Sequence, residues 1–152
     1  MVIPPGLKME TLLVKSTIVD LTNKISILRP GGITIEQLEK VLNRKLKLKN
    51  FLKNIKSPGQ LGFHYSPGIP VRLNAKYPKK NEAFLQFSGK VKNKNNYFIL
   101  SKKGNMKEAA KNLFSILRLI KKKGYSSIAV SKIPNQGLGL AINDRLKKAS
   151  YK

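Results

Sequence analysis

An alternation of strand-like and helix-like segments between residues 82 and 149 constrains the fold more than any other feature of this sequence. Runs rich in apolar and β-branched residues predict strands at 82–88, 97–101 and 127–133. Helical periodicity predicts a long helix after residue 105 and a second helix over about 138–149. Strands that alternate with helices indicate parallel pairing around a crossover helix. We therefore predict a small α/β, Rossmann-like sheet domain with two main helices.

Capping signals define the ends of the long helix. Asn105 is a favoured N-cap residue, and Glu108 three positions later predicts a capping box. Gly124 predicts the C-terminal end, because glycine readily adopts the left-handed conformation that stops many helices. The apolar side chains that would face the core recur at helical spacing: Met106, Ala110, Leu113, Phe114, Leu117 and Ile120. The mostly apolar strand at 127–133 is predicted to lie in the centre of the sheet.

The composition excludes several classes of site. The chain has no cysteine, which excludes disulfides and thiolate metal sites and is typical of a reducing cytoplasm. His64 is the single histidine, so no metal site built from several histidines is expected. No apolar run reaches the roughly 18 residues of a membrane span, and the first residues lack the features of a secretory signal. We expect a cytoplasmic protein with no metal site and no membrane partner.

The net charge of +24 has two interpretations. Clustered cations release counterions from phosphate backbones, which favours a polyanion partner such as tRNA. However, 26 of the 31 basic residues are lysine, and arginine is the residue preferred for bidentate phosphate contacts. Abundant lysine, asparagine and isoleucine are also what an AT-rich genome encodes, so mutation bias explains the charge equally well.

The pattern of the first 43 residues is typical of the end of a domain and not of a complete domain. Residues 16–21 and 25–28 are predicted to form two strands. Thr34 and Gln37 then predict a capping box at the start of a short helix. These pieces bury too little surface to fold as a domain by themselves, so we expect them to be the last strand pair and helix of a larger unit.

The pattern dissolves between Asn43 and about Pro70, where lysines are dense and two Ser-Pro-Gly triplets interrupt the chain. A plain spacer would not need the consecutive residues Phe63, His64 and Tyr65. We interpret this region as a linker that carries specific residues, although a lone histidine in such a segment is more often an ordinary surface residue.

Three segments, in this order, resemble two-domain threonylcarbamoyl-adenylate synthases of the YrdC type. The front segment, Ser16 to Leu21 followed by Ile27 to Ile33, is similar to the end of the family's catalytic domain. Residues 57–67 resemble the family's linker signature, Pro-Gly followed by His-Tyr-Ala-Pro, with Ser66 in place of the alanine. The tail, from Asn105 to Leu119 and from Ile133 to Leu146, is similar to the family's second domain.

The resemblance implies three parts: residues 1–43 as a remnant of the catalytic domain, 44–68 as a linker with a lid motif, and 69–152 as an α/β tail domain. Family enzymes join threonine, bicarbonate and ATP, with Mg, into threonylcarbamoyl-adenylate, the donor for threonylcarbamoyladenosine in tRNA. By the same resemblance, Ser16 would face the nucleotide and Arg29 would contact phosphates. His64 and Tyr65 would belong to a lid that excludes water from the mixed anhydride.

Other family features are absent. The Lys-Arg-Pro-like and Ser-Ala-Asn motifs of the catalytic domain do not occur, and Lys15 stands where the family has Glu. A phosphoryl site needs several converging cations and usually a metal, so one arginine and one serine are not a complete site. We therefore expect a truncated or split form that is not catalytic alone and binds no cofactor by itself.

Three alternatives follow for the whole chain. It is one half of a split synthase that docks on a separately encoded YrdC-type catalytic half, a freestanding basic α/β module that binds RNA, or a non-functional gene remnant whose tail still folds. The triplet Gly137-Leu138-Gly139 also has two interpretations. Its position between a strand and a helix suggests a phosphate cradle, but a glycine turn that brings the helix close to the sheet is favoured.

Overall fold

Two β-sheets organise the part of the chain that the structure describes. The computed structural model describes residues 16–22, 24–48, 67–90 and 95–150. The first sheet contains β1 (Ile18–Asp20), β2 (Ser26–Arg29) and β3 (Lys47–Leu48), in the order β1-β2-β3. β1 runs antiparallel to β2, and β3 runs parallel to β2. The predicted strand pair is therefore present, and a third short strand extends it.

Helix α1 (Ile35–Leu42) connects β2 to β3 and begins as predicted. The Thr34 hydroxyl accepts a hydrogen bond from the Gln37 N–H, and the Gln37 side chain accepts one from the Thr34 N–H. This closed capping box satisfies two of the N–H groups that a helix start leaves without partners. The helix ends at Asn43, whose φ of 48° lies in the left-handed region. No residue of α1 is buried.

The second sheet has four parallel strands: β4 (Val71–Arg72), β5 (Glu82–Gln86), β6 (Tyr97–Ile99) and β7 (Ser127–Val130). Their order is β4-β7-β5-β6. Helix α2 (Met106–Lys122) crosses over between β6 and β7, and α3 (Leu138–Ser150) follows β7. The predicted α/β architecture with parallel pairing is confirmed, and β7 lies between β4 and β5, as its apolar sequence predicted.

Both helices of this second unit pack against one face of the sheet. Side chains alternate across a strand, so Ala83 and Leu85 of β5 and Ile128 and Val130 of β7 share the face that meets α2 and α3. Phe84 points to the opposite face and makes an edge-to-face contact with Tyr97 at a centroid distance of 5.3 Å. The helical residues buried in this core are Ala109, Ala110, Leu113, Phe114, Leu117, Ile120, Ala141, Ile142, Leu146 and Ala149.

The start of α2 differs from the predicted capping box. Asn105 is the N-cap, and its side chain accepts hydrogen bonds from the N–H groups of Lys107 and Glu108. The Glu108 carboxylate, however, accepts from the Ser101 hydroxyl at 2.5 Å and does not return to Asn105. The Asn105 N–H donates instead to the Ser101 oxygen at 2.8 Å. A buried serine thus stands between the two partners of the expected box, because the chain turns back on itself just before the helix.

α3 joins the two sheets. The Arg145 guanidinium donates to the carbonyl oxygen of Pro30, just after β2, at 3.4 Å. The N–H of Gly137 donates to the Glu36 carboxylate in the first turn of α1 at 3.3 Å. Within the described part of the chain, no helix has the length and apolar character needed to cross a membrane.

Candidate functional site

Ser16 lies just before β1, and Arg29 is the last residue of β2, at the same end of the first sheet. Ile18 pairs with Arg29 in the β1–β2 register, so the chain around Ser16 runs beside the residues that follow Arg29. The side chain of Ser16 is exposed, and that of Arg29 is half-buried. Ser16 thus lies against Gly31, two residues after Arg29, and the nucleotide contacts of Ser16 and Arg29 stay predictions.

Gly31 makes this close approach possible. A Cβ atom at position 31 would lie 2.2 Å from the carbonyl oxygen of Ser16, closer than any real side-chain atom can sit. At the next residue, just before β1, the Thr17 hydroxyl donates to the carbonyl oxygen of Ile33 at 2.6 Å. The absence of a side chain at Gly31 thus lets the two chain segments approach each other, and the Thr17 hydrogen bond holds them together.

His64 and Tyr65, the proposed lid residues, lie outside the described residues.

Three charged residues of α3 lie near the segment that follows β2, and they were not predicted as part of the site. Arg145 is almost fully buried, and its guanidinium donates to the Asp144 carboxylate. Lys148 donates to the same carboxylate at 2.9 Å. Burial lowers the pKa of Lys148, Asp144 opposes that shift, and the positive charges of Arg145 and Arg29 add to it. Arg29 is therefore close enough to α3 to affect its charges, and we call Arg29, Asp144, Arg145 and Lys148 the junction cluster.

The carboxylates near this site do not fit a magnesium ion. Asp20 accepts hydrogen bonds from the N–H and the hydroxyl of Thr22, at 3.0 and 2.6 Å. Asp144 is committed to Arg145 and Lys148. Across the described ranges, no three side chains of the histidine, cysteine, aspartate and glutamate types converge as metal ligands would. The described residues therefore offer one arginine, one serine and a set of structural ion pairs, but no metal centre.

A groove of about 460 Å³ runs along the end of α1, away from Ser16 and Arg29. Its two carboxylates have structural partners: Glu36 accepts from Gly137, and Glu39 accepts from the N–H of Leu46 at 2.8 Å. The pKa of Glu36 is lowered, first by its own backbone N–H and also by Thr34 and Gly137. These groups stabilise the fold and are not arranged for acid–base chemistry.

The glycine turn before α3 serves packing, as the favoured interpretation had it. A Cβ at Gly139 would lie 1.9 Å from the carbonyl oxygen of Pro134, so the helix starts directly against the chain that leaves β7. Gly137 has a φ of 53°, and its N–H is used by the Glu36 carboxylate. A phosphate at this turn would have to displace that carboxylate.

Comparisons with known proteins agree on one family. The family model described as "Threonylcarbamoyl-AMP synthase, C-terminal domain" matches residues 33–150. The threonylcarbamoyl-AMP synthase of Pyrococcus abyssi is 30% identical over 157 aligned positions, which include 90% of this chain. The chain spans only 46% of the length of that relative.

Solved structures give the same picture. The crystal structure of P. abyssi Sua5 complexed with L-threonine superposes with a TM-score of 0.72 at 28% identity, covering 89% of this chain and 45% of that one. A variant of P. abyssi Sua5, in which a histidine and the tyrosine after it are replaced by alanine, superposes with a TM-score of 0.65 at 25% identity. The alignment with that variant covers 89% of this chain and 44% of the other.

Proposed function

Because this chain belongs to the family of threonylcarbamoyl-AMP synthase C-terminal domains, we propose that it works as the tail and lid portion of such a synthase, together with a catalytic portion. The assembled enzyme would join threonine, bicarbonate and ATP into threonylcarbamoyl-adenylate, releasing pyrophosphate, for the modification of tRNA. The observation that carries this proposal is a contact between the tail and the residue that follows Arg29: the Arg145 guanidinium on α3 donates to the carbonyl oxygen of Pro30.

In this proposal Arg29 supplies a guanidinium to the phosphates of ATP. A planar fork of N–H donors fits phosphate oxygens and stabilises the charge that develops as pyrophosphate leaves. Ser16 would contribute a hydroxyl next to it. His64 and Tyr65 would close over the site and exclude water from the mixed anhydride. A solved variant of P. abyssi Sua5 has alanine in place of a consecutive histidine and tyrosine, the same two residue types as His64 and Tyr65.

We further propose that these 152 residues do not catalyse the reaction without a partner. One arginine and one serine cannot neutralise a triphosphate, which needs several converging cations and usually a metal ion. Among the described residues, no three side chains of the metal-ligating types converge to hold the metal ion. ATP and magnesium would therefore be held chiefly by the catalytic portion.

The first sheet and α1 carry an apolar surface that suits this partner. Of the exposed large apolar residues, those on this part of the chain are Leu21, Ile33, Val41, Leu42 and Leu48. α1 is amphipathic, but its apolar face is not buried: no residue of the helix is buried, and Val41 is 83% exposed. Apolar surface of this kind is normally covered in a folded assembly. The family's catalytic portion is the occupant we propose, since the relatives are about twice as long as the region that matches.

The test is pyrophosphate release that depends on both threonine and bicarbonate. We expect no activity from the chain alone and activity after addition of a catalytic portion of this family from the same genome. R29K should lower the assembled activity by about 100-fold, because lysine cannot make the bidentate contact. R44K, a matched change at an exposed arginine, should leave it unchanged. Activity of the chain alone, or an R29K enzyme as active as R44K, would contradict the proposal.

A second candidate function, RNA binding, is favoured by the charge distribution of the tail. Residues 67–152 contain three acidic residues against twenty lysines and arginines. All three acidic side chains have internal partners: Glu82 pairs with Arg72, Glu108 with Ser101, and Asp144 with Arg145 and Lys148. The surface of this part of the chain is therefore cationic with little compensation.

The solvent face of α2 concentrates this charge. Lys107, Lys111, Arg118 and Lys122 are exposed and recur at helical spacing, so they form one stripe. With a rise of about 1.5 Å per residue the stripe is roughly 22 Å long, enough to follow several phosphates of one strand. We call this set the α2 stripe.

The RNA proposal is tested by tRNA binding measured as a function of salt. Replacing Lys107, Lys111 and Lys122 by Gln should weaken binding and reduce the salt slope by about 2 to 3, because each lysine-to-phosphate contact contributes nearly one counterion. The control is the same change at Lys76, Lys79 and Lys80, which are exposed on a loop. Equal weakening by both triple variants would mean that tRNA responds to the overall positive charge and not to the α2 stripe. The absence of tRNA binding at low salt would contradict the proposal altogether.

A further inference from the structure

Arg145 is a buried charge at a position that the helix pattern reserves for apolar residues. It is 1% exposed, and it lies on the same face of α3 as the buried residues Ala141, Ile142, Leu146 and Ala149. Burying a guanidinium costs free energy unless its charge is paired and its N–H groups have acceptors. Because buried ion pairs in other proteins are often replaced by apolar residues without loss of stability, stability alone does not explain why a charge occupies this position.

These contacts reach across the boundary between the two sheets. One end of the guanidinium donates to Asp144 on the same helix, which compensates the charge. The other end donates to the carbonyl oxygen of Pro30 at 3.4 Å, 115 residues earlier in the chain. Pro30 itself is buried. The guanidinium therefore links α3 to the backbone that directly follows β2.

A second contact fixes the same loop from its other side. Gly137, just before α3, donates its N–H to Glu36, in the first turn of α1. Pro30 and Glu36 flank the short segment that contains Gly31 and Gly32 and connects β2 to α1. α3 and the residue just before it thus contact both ends of this segment.

The position of Arg29 depends on that segment. Arg29 is bonded directly to Pro30, and Gly31 lies against the backbone of Ser16. A shift of Pro30 would move Arg29 and would open the contact between the two strands. We propose that Arg145 is a positioning residue: it holds Pro30 and therefore Arg29 in place from α3, so the tail contributes to the geometry at the end of the first sheet that carries Arg29. This inference rests on the role proposed above for Arg29.

The chain's arginine content allows a direct test with the 152-residue protein alone. Five arginines give five side-chain Nε–H signals in a spectrum of protein labelled with ¹⁵N-arginine. Single Arg→Lys variants assign them. The test compares R145M, R145K and the control R72M, because Arg72 also forms an ion pair in the second unit but contacts nothing near Pro30 among the contacts described. Amide hydrogen exchange of residues 26–33 is recorded in parallel.

In R145M we expect the Arg29 Nε–H signal to shift and the amides of residues 26–33 to exchange at least about tenfold faster, while β7 remains protected. R145K should retain part of the protection, since lysine still pairs with Asp144 but donates through a single point. R72M should leave the Arg29 signal unchanged. An unchanged Arg29 signal in R145M, or an equal change in R72M, would overturn the inference and make Arg145 an ordinary ion pair of the tail.

If R145M does not fold, R145K against R72K decides by the same two measurements. None of the readouts requires catalysis. An inactive assembled enzyme would therefore count against the proposed function only, whereas an undisturbed Arg29 signal would count against the positioning role only.

Discussion

Arg72 and Glu82 form a two-pronged salt bridge across the strand that separates them. Arg72 lies on β4 and Glu82 on β5, with β7 between them in the sheet. The guanidinium Nη2 is 2.6 Å from Oε2 of Glu82, and Nε is 3.3 Å from Oε1. Glu82 is buried and also accepts the N–H of Lys79, whereas Arg72 is partly exposed. The pair closes one end of the parallel sheet.

This pair predicts sensitivity to acid. Burial by itself raises the pKa of Glu82, but the hydrogen bonds from Arg72 and Lys79 outweigh burial and hold the pKa below its ordinary value. A carboxylate of this kind contributes stability above its unfolded pKa of about 4.3 and loses that contribution as the pH falls through the lower folded value. In R72M part of the lowering is removed, so the free energy of unfolding should be smaller at neutral pH and should fall less between about pH 5 and the acid limit than in the wild-type chain.

Urea unfolding followed by circular dichroism across the acid range measures this effect. The control is E82Q, which has no carboxylate at this position and should show a flatter dependence of the free energy of unfolding on pH. Parallel pH curves for the wild-type chain and E82Q would show that Glu82 contributes nothing to acid sensitivity.

Ser101 predicts a local effect on α2. It is almost fully buried and connects the Asn105 N–H to the Glu108 carboxylate. S101A should lower the free energy of unfolding by about 1 to 2 kcal/mol, because it removes two hydrogen bonds at a helix start. S115A is the control: Ser115 bonds a carbonyl within the same helix, and its loss should cost less than about 0.5 kcal/mol. Equal effects of the two changes would mean that the Ser101 relay contributes no more than an ordinary helix hydroxyl.

Substitutions at Gly139 and Gly124 distinguish the cost of a steric clash from the cost of an unfavourable backbone conformation. At Gly139 a methyl group would collide with the carbonyl of Pro134, so G139A should cost about 3 kcal/mol. At Gly124 there is open space but a φ of 79°, so G124A should cost only about 1 kcal/mol of backbone strain. Urea midpoints at one pH compare them. A cost of G139A no larger than that of G124A would show that α3 can move away from Pro134.

Gly31 predicts disruption confined to the first sheet. Because its Cβ would overlap the backbone of Ser16, G31A should separate β1 from β2. Amide exchange in residues 26–29 should accelerate by at least about tenfold, while residues 127–130 keep their protection. Slow exchange throughout both strands would mean that the turn accommodates a side chain, and would remove glycine as the reason for the close approach.

Local signals in the sequence predicted most of the fold. The capping box at Thr34 needs only residues that are neighbours in the chain, and the structure has both of its hydrogen bonds. The apolar period of α2, its end before Gly124 and the central place of β7 were also predicted correctly. The capping box at Glu108 was wrong, because Ser101 lies outside the helix and reaches its start only through the folded turn. The strands β3 and β4 were missed, since two residues carry no period.

The site divides in the same way. Ser16 and Arg29 could be selected from motif resemblance, and their place at the same end of the first sheet follows from the antiparallel pairing of two strands that are close in sequence. Arg145 and Lys148 were missed. One signal was available: Arg145 occupies a position of the apolar stripe of α3, where a charge implies a buried partner. The sequence could not say that this partner is a carbonyl 115 residues away.

Local patterns predicted both main helices, the longer strands, the parallel α/β class and the family, because caps, periodicity and motifs are properties of short stretches of chain. How the two sheets meet could be seen only in the folded chain. A contact such as Arg145 to Pro30 depends on the direction in which α3 leaves the sheet, and that direction results from the whole packed core rather than from any local pattern. The same holds for charge. The number of lysines can be counted in the sequence, but that every acidic residue of the tail has an internal partner is seen only in the structure.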